Sequence, residues 1–248
     1  MFDNFLVADI SGEVISSLIV MVIIAILAII VGIQANHHDP LKKPRGLLFL
    51  AEVGVNFFDG MVEGLMGRRF EGFGGFALAI AVYLFLSFIF GLTGLPSPMT
   101  YMAVPLSLGL VTFCLIHYTS MKYTKIHYFH RYVEPFAVFL PINLISMWAP
   151  LLSLTLRLFG NAIAGWTLMT ILYVGIESVG ATVISIAGES MRVGAFVAPF
   201  VTPLLHAYFD LFSGLIQTTV FLSLTLILVA QEAPLEDEEI NIVREGGK

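Results

Sequence analysis

Charge is scarce in this sequence. Only 12% of its 248 residues are Asp, Glu, Lys or Arg, against roughly 25% in a soluble domain, while 58% are hydrophobic. That balance excludes an ordinary soluble protein and places the chain in a bilayer. Cysteine is nearly absent: the lone Cys114 lies in an apolar run, which excludes a disulfide framework and a zinc motif and reads as a small buried apolar residue. No His-Glu-x-x-His motif occurs and no serine is a convincing partner for His206, so an intramembrane hydrolase lacks its machinery. An internal repeat with paired interrupted helices is also missing. An ion-coupled secondary transporter, the alternative for a chain of this composition, therefore has weak support. The net charge of −6 stems largely from Glu236-Asp237-Glu238-Glu239, a solvated acidic tail over 231–248, and nothing points to nucleic acid, metal or cofactor.

What is present is a succession of apolar runs. The first, 14–33, follows an acidic segment (Asp3, Asp9, Glu13) without a lysine or arginine and is about 20 residues long, so it is a retained span and not a secretory signal. Lys42, Lys43 and Arg45 follow it, which puts that loop in the cytoplasm and the N-terminus outside. His37-His38-Asp39, with no fourth ligand nearby, is a polar loop. Over 47–66, Glu52, Asn56, Asp59 and Glu63 recur at steps of four, three and four, opposite Leu48, Phe57, Phe58 and Leu65. This predicts an amphipathic surface helix whose polar face is solvated or lines a proton-accessible vestibule. Spans at 76–92 and 103–121 are joined by Gly94-Leu-Pro96-Ser-Pro98, which has no basic residue. The flanking loops hold Arg68, Arg69, Lys122, Lys125 and Arg131, so eight of the twelve lysines and arginines fall on the side read as cytoplasmic. His127, His130 and Glu134 are read as interfacial.

The run 133–176 has 44 residues, about 66 Å as helix at ~1.5 Å per residue, twice the ~30 Å hydrocarbon core. Either it breaks near Trp148-Ala-Pro150 or it is one long tilted helix. Parity favours the long helix, paired with 191–230 as a hairpin that returns the C-terminus to the cytoplasm. The fold class is thus all-α, one membrane domain over 1–248 with about five embedded helices and one surface helix. Within 136–176 the only charge is Arg157, a residue that costs roughly 2.5–3.5 kcal/mol at mid-membrane on insertion scales and stays ionised. Ser153, Arg157, Asn161, Ala164 and Leu168 share one helical line, with Gly160, Ala164 and Gly165 leaving room for a close helix. The last run carries His206, Asp210, Ser213, Gly214 and Gln217 on one stripe. An acid, an imidazole and an amide on one intramembrane face point to ion translocation.

The stretch Leu154-Thr-Leu-Arg157-Leu-Phe-Gly-Asn161-Ala-Ile-Ala-Gly165, with Gln217 in a later run that ends in Leu222-Ser-Leu-Thr-Leu, resembles subunit a of the F-type ATP synthase. The resemblance implies a non-catalytic stator beside a rotating ring of small proteolipid c subunits, with peripheral-stalk b subunits and the rest of the synthase as further partners. Two offset half-channels would carry protons to and from ring carboxyl groups, and Arg157, Asn161 and Gln217 match the family's translocation residues. A fixed guanidinium favours loss of the ring proton and blocks a direct hop between the half-channels. The sequence departs from the commoner pattern at two places. Trp166 stands where many members have glutamate, and Asp210 where histidine is frequent. Asp210, with His206 one turn away, is therefore the candidate acid of the outer half-channel. Ser153 and Ser213, Glu177 and Glu189 at the outer mouth, and Glu52, Asp59 and Glu63 on the surface helix are candidate lining. Nothing reads as a transit segment, so a bacterial plasma membrane is the expected location, and sodium in place of proton stays open.

Overall fold

The computed structural model describes residues 11–39, 43–124, 140–187 and 202–233 of the chain; of Glu177 and residues 179–187 it describes the backbone only. Glu189, the loop residues His127, His130 and Glu134, the acidic tail and the first residues of 191–230 lie outside the described residues. Those described form helices α1 (Gly12–His37), α2 (Leu47–Met66), α3 (Gly74–Ile89), α4 (Ala103–Thr124), α5 (Leu140–Ala187) and α6 (Thr202–Ala230), and no strand occurs among them. Five of the six, α2 being the exception, are long and apolar enough to cross a membrane. The protein is an all-α membrane protein.

The helix ends follow local chemistry. Gly67, at φ 81, closes α2 in a conformation that an L side chain rarely adopts. The Gly94-to-Pro98 link is flanked by two short 3₁₀ turns, Phe90–Thr93 and Pro98–Thr100, and is held where the Ser97 hydroxyl donates to the Ser87 carbonyl at 3.0 Å. α1 runs through His37, whose Nδ1 bonds the Ile33 carbonyl oxygen at 2.8 Å; the His37-His38-Asp39 stretch is thus half helix and not wholly loop. α5 passes Pro150 without a break, which decides between the two alternatives the sequence left open. A proline removes one hydrogen bond, a loss that surrounding packing can carry in a membrane helix.

The contacts cluster in two compact units. The first comprises α1, residues 80–104, residues 157–187 of α5 and 202–219 of α6. In it Ser17 and Tyr83 share a 2.7 Å hydrogen bond, tying α1 to α3. Three glycines set the close approaches. A Cβ on Gly214 would lie 2.7 Å from the Phe88 Cβ, one on Gly91 3.7 Å from Asp210 Oδ2, and one on Gly165 3.7 Å from the Phe209 Cβ. Contacts therefore run in opposite order along α3 and α6, and along α5 and α6, so each pair is antiparallel. Phe88 is buried and cannot yield to a methyl group at position 214. Gly214→Ala should destabilise the protein by about 1–3 kcal/mol, read as a lower unfolding temperature in detergent. Gly32→Ala, where nothing lies within 4 Å, should not lower it.

The second unit holds 43–79, 105–124, 140–156 and 220–233. Its core is Leu151 and Leu154 of α5 with Phe221, Leu222, Leu226 and Val229 of α6. The Thr112 and Thr225 hydroxyls meet at 3.2 Å in the interior, where each satisfies the other. Phe113 stacks on Trp148 with ring centroids 5.1 Å apart. Cys114, expected inside, is exposed on α4: it occupies an outward position of an apolar helix, where a bilayer serves a small side chain as well as a core does. On α2, Val62 and Met66 are buried, whereas Phe57 is 64% exposed.

Candidate functional site

Arg157 is half-buried on α5. Ser153, Ala164 and Leu168, along the same line, are exposed, while Leu154, Thr155 and Leu158 on the other side are buried. Helical geometry thus turns the arginine towards the face of α5 that the described residues leave open. Among the described residues, no hydrogen bond or ion pair engages its side chain. A permanent charge on an apolar helix without an internal partner needs one from elsewhere or from water.

One turn on, Asn161 reaches α6. The Ser213 Oγ lies 2.9 Å from its Nδ2 and 3.1 Å from its Oδ1, so the hydroxyl satisfies the amide in either orientation. Small residues permit this approach, Gly165 against Phe209 in particular. Gln217, a turn further along α6, is 8% exposed, and its Nε2 has no hydrogen-bond partner among the described residues. A buried amide donor left open in this way calls for ordered water or a partner group.

The start of α6 is wound unusually. Ala207–Phe212 is a π turn, a form found mostly as single turns and frequently at functional sites. His206 Nδ1 stands 2.6 Å from Asp210 Oδ2, and His206 Nε2 lies 3.0 Å from the Tyr173 hydroxyl of α5. Both His206 and Asp210 keep partial access to solvent, at 28% and 23% of the side chain. They open on a cavity of about 620 Å³ between the end of α3, the middle of α5 and the start of α6, walled by Gly91, Ser97, Thr100, Asn161 and Trp166 among others. Tyr173, His206 and Asp210 are the only titratable side chains in its described wall.

The sequence did not single out Tyr173. The signal lay in the spacing, because Tyr173 is seven residues beyond Trp166 and so lies on nearly the same helical line. Trp166 itself, 61% exposed, lines the same cavity as Asp210. Of the other candidates, Ser153 is exposed, and Glu52, Asp59 and Glu63 are exposed on α2 in the second unit. There the Asp59 carboxylate packs against Gly74 at the start of α3, where the helix dipole favours it. Glu63 pairs with Arg68 at 3.0 Å, both well exposed, an ion pair worth at most about 1 kcal/mol. The α2 carboxylates thus have solvated or helix-terminal roles in the geometry. The Glu177 side chain and the whole of Glu189 fall outside the described residues.

Comparison with known proteins bears on the whole length. The profile of the family described as ATP synthase A chain matches residues 14–230. The chain belongs to that family. An ATP synthase subunit a of Mycoplasmoides gallisepticum is 28% identical over 96% of this chain and 82% of its own length. One from Enterococcus faecalis is 25% identical, with 89% and 93% covered, and one from Pediococcus pentosaceus is 29% identical, with 87% and 90% covered. Apart from the first two residues of α1, the family match takes in all five described helices long enough to span a membrane, and it includes Arg157, Asn161, His206, Asp210 and Gln217.

Proposed function

We propose that the chain is the proton-conducting stator subunit of a rotary ATP synthase, standing beside a ring of small proteolipid c subunits and held by peripheral-stalk b subunits. The observation that carries this reading is Arg157: a fixed charge on the open face of α5 with no side-chain partner among the described residues. A ring carboxyl group would complete it. As each ring subunit comes in from lipid its carboxyl is neutral, and the guanidinium favours loss of the proton. The same cation stops a proton from crossing directly between two half-channels, so flow must go round with the ring.

The cavity at Asp210 is the outer half-channel in this reading. Water entering past Ser97 and Thr100 reaches the Asp210 carboxylate, which takes up a proton and releases it inward to water that the Ser213 hydroxyl and the Asn161 amide would orient. Gln217, with its open donor, holds water between that path and the ring. Catalysis of ATP formation belongs to other subunits of the complex. The chain crosses a bacterial plasma membrane with its N-terminus outside and its C-terminus in the cytoplasm, in line with the basic loops.

Crosslinking tests the placement of α5. With Cys114 first replaced by serine, a cysteine at Ser153 or Ala164 should form a disulfide with a cysteine on the carboxyl-bearing helix of the ring. One at the buried Leu158 should not. No crosslink from either exposed position, in a complex that assembles and contains the ring, would refute the stator placement.

A further inference from the structure

Tyr173 joins two elements of the proposed entry path, and nothing in the family motif calls for it. Its hydroxyl lies 3.0 Å from His206 Nε2, while the opposite ring nitrogen, Nδ1, lies 2.6 Å from Asp210 Oδ2. An ionised carboxylate only accepts, so in the neutral ring the proton sits on Nδ1, and Nε2 accepts from the tyrosine hydroxyl. When the ring is cationic, Nε2–H donates instead, and the hydroxyl oxygen accepts. A hydroxyl is both donor and acceptor, so it can hold the imidazole in either charge state. Phenylalanine can hold it in neither.

We infer that Tyr173 is a positioning residue that fixes the His206 imidazole against Asp210 through both charge states of the ring, and so sets the environment in which Asp210 exchanges protons with the cavity. This rests on Asp210 being the acid of the outer half-channel. Three observations converge on it. Tyr173 and His206 come from different helices, so their contact fixes the mouth of the α5–α6 pair and not merely one rotamer. The π turn Ala207–Phe212 widens the backbone immediately after His206 and carries Asp210 within it, a local departure that the two hydrogen bonds hold in register. The rest of the cavity wall facing this trio, from the end of α3, the link after it and α5, contributes Gly91, Ser97, Thr100, Asn161, Trp166 and Thr170. None of these carries a charge, so within the described wall the imidazole is the only group able to answer the carboxylate electrostatically.

The test uses the whole synthase in liposomes, with passive proton conduction and ATP-driven acidification followed across a range of pH. Tyr173→Phe should lower conduction about three- to tenfold, the loss of one hydrogen bond to a charged or polar partner, and should displace the pH profile. His206→Ala should displace the profile the same way. The double variant should be displaced no further than His206→Ala alone, because the tyrosine acts only through the imidazole. Additive displacements, or a wild-type profile in Tyr173→Phe, would overturn the inference. A uniform loss at every pH with less assembled complex would mark a purely structural residue and overturn it equally. The parent reading is separated by Asp210→Asn: if that variant pumps normally, the half-channel assignment itself fails, whereas a dead Asp210→Asn beside an unaltered Tyr173→Phe removes only the role of the tyrosine.

Discussion

Replacing Arg157 with alanine should abolish ATP-driven proton pumping by the assembled synthase and slow ATP synthesis by a factor on the order of 10³. The magnitude follows from the charge. Two opposite unit charges about 4 Å apart interact by about 4 kcal/mol at an effective dielectric of ~20, and a difference of 1.36 kcal/mol is tenfold. Without the guanidinium a ring carboxyl keeps its proton at the point where it must release it, and the ring stalls. Nothing then stands between the two half-channels, so the alanine variant should also leak protons down a gradient when ATP is absent. Arg157→Lys is the sharper variant. It keeps a cation, yet an ammonium group sheds its proton readily once desolvated and offers no planar fork, so it should restore only a small part of the activity. Acidification of reconstituted vesicles measures pumping, and dissipation of an imposed gradient measures the leak. Because Arg157 lacks an internal partner among the described residues, its removal should leave the fold intact, and complex recovery should stay near that of the wild type.

Asp210→Asn carries the second large effect. The amide is nearly isosteric, and its oxygen can still accept from His206 Nδ1–H, so the 2.6 Å contact and the π turn around it should survive. What is lost is the ability to take up and release a proton. A positioned proton-transfer group contributes typically about 10²–10⁴-fold, and pumping should fall to the lower end of that range or beyond. Asp210→Glu retains a titratable acid but moves the carboxyl group by one methylene from its place beside His206, and should be intermediate. Pumping at the wild-type rate by Asp210→Asn would show that protons reach the ring by another route. With Asp210→Asn impaired as expected, adding Trp166→Glu, which puts an acid on the same cavity wall, should restore pumping in part if the cavity is the channel.

The fold class was open to sequence reasoning because a bilayer imposes long apolar runs, and their polar and basic interruptions are easy to see. Family membership was legible for a different reason. Leu154 to Gly165 combines an arginine, an asparagine and four glycines and alanines at spacings that few other helices need. The limits are equally physical. Periodicity could not decide whether Pro150 ends a helix, since the outcome depends on neighbours that carry the lost hydrogen bond. It put Phe57 on the non-polar side of α2, but it does not say which part of an apolar arc packs on the protein, as Val62 and Met66 do and Phe57 does not. Cys114 was taken as interior because sequence cannot tell a lipid-facing apolar position from a core one. The stripe of His206, Asp210 and Ser213 was drawn at a constant turn, and its residues do cluster, but the π turn that shapes the site leaves no mark in composition. Tyr173 escaped notice because an aromatic on an apolar helix is ordinarily packing; only the facing imidazole gives it another meaning.

The most direct measurement is the structure of the complete membrane sector, with the position of the Arg157 guanidinium read against the ring. The stator reading predicts that Arg157 faces the ring, within direct or single-water reach of a ring carboxyl group as it passes. An arginine paired instead with an acid of its own chain, or turned to lipid away from every ring carboxyl, would contradict it.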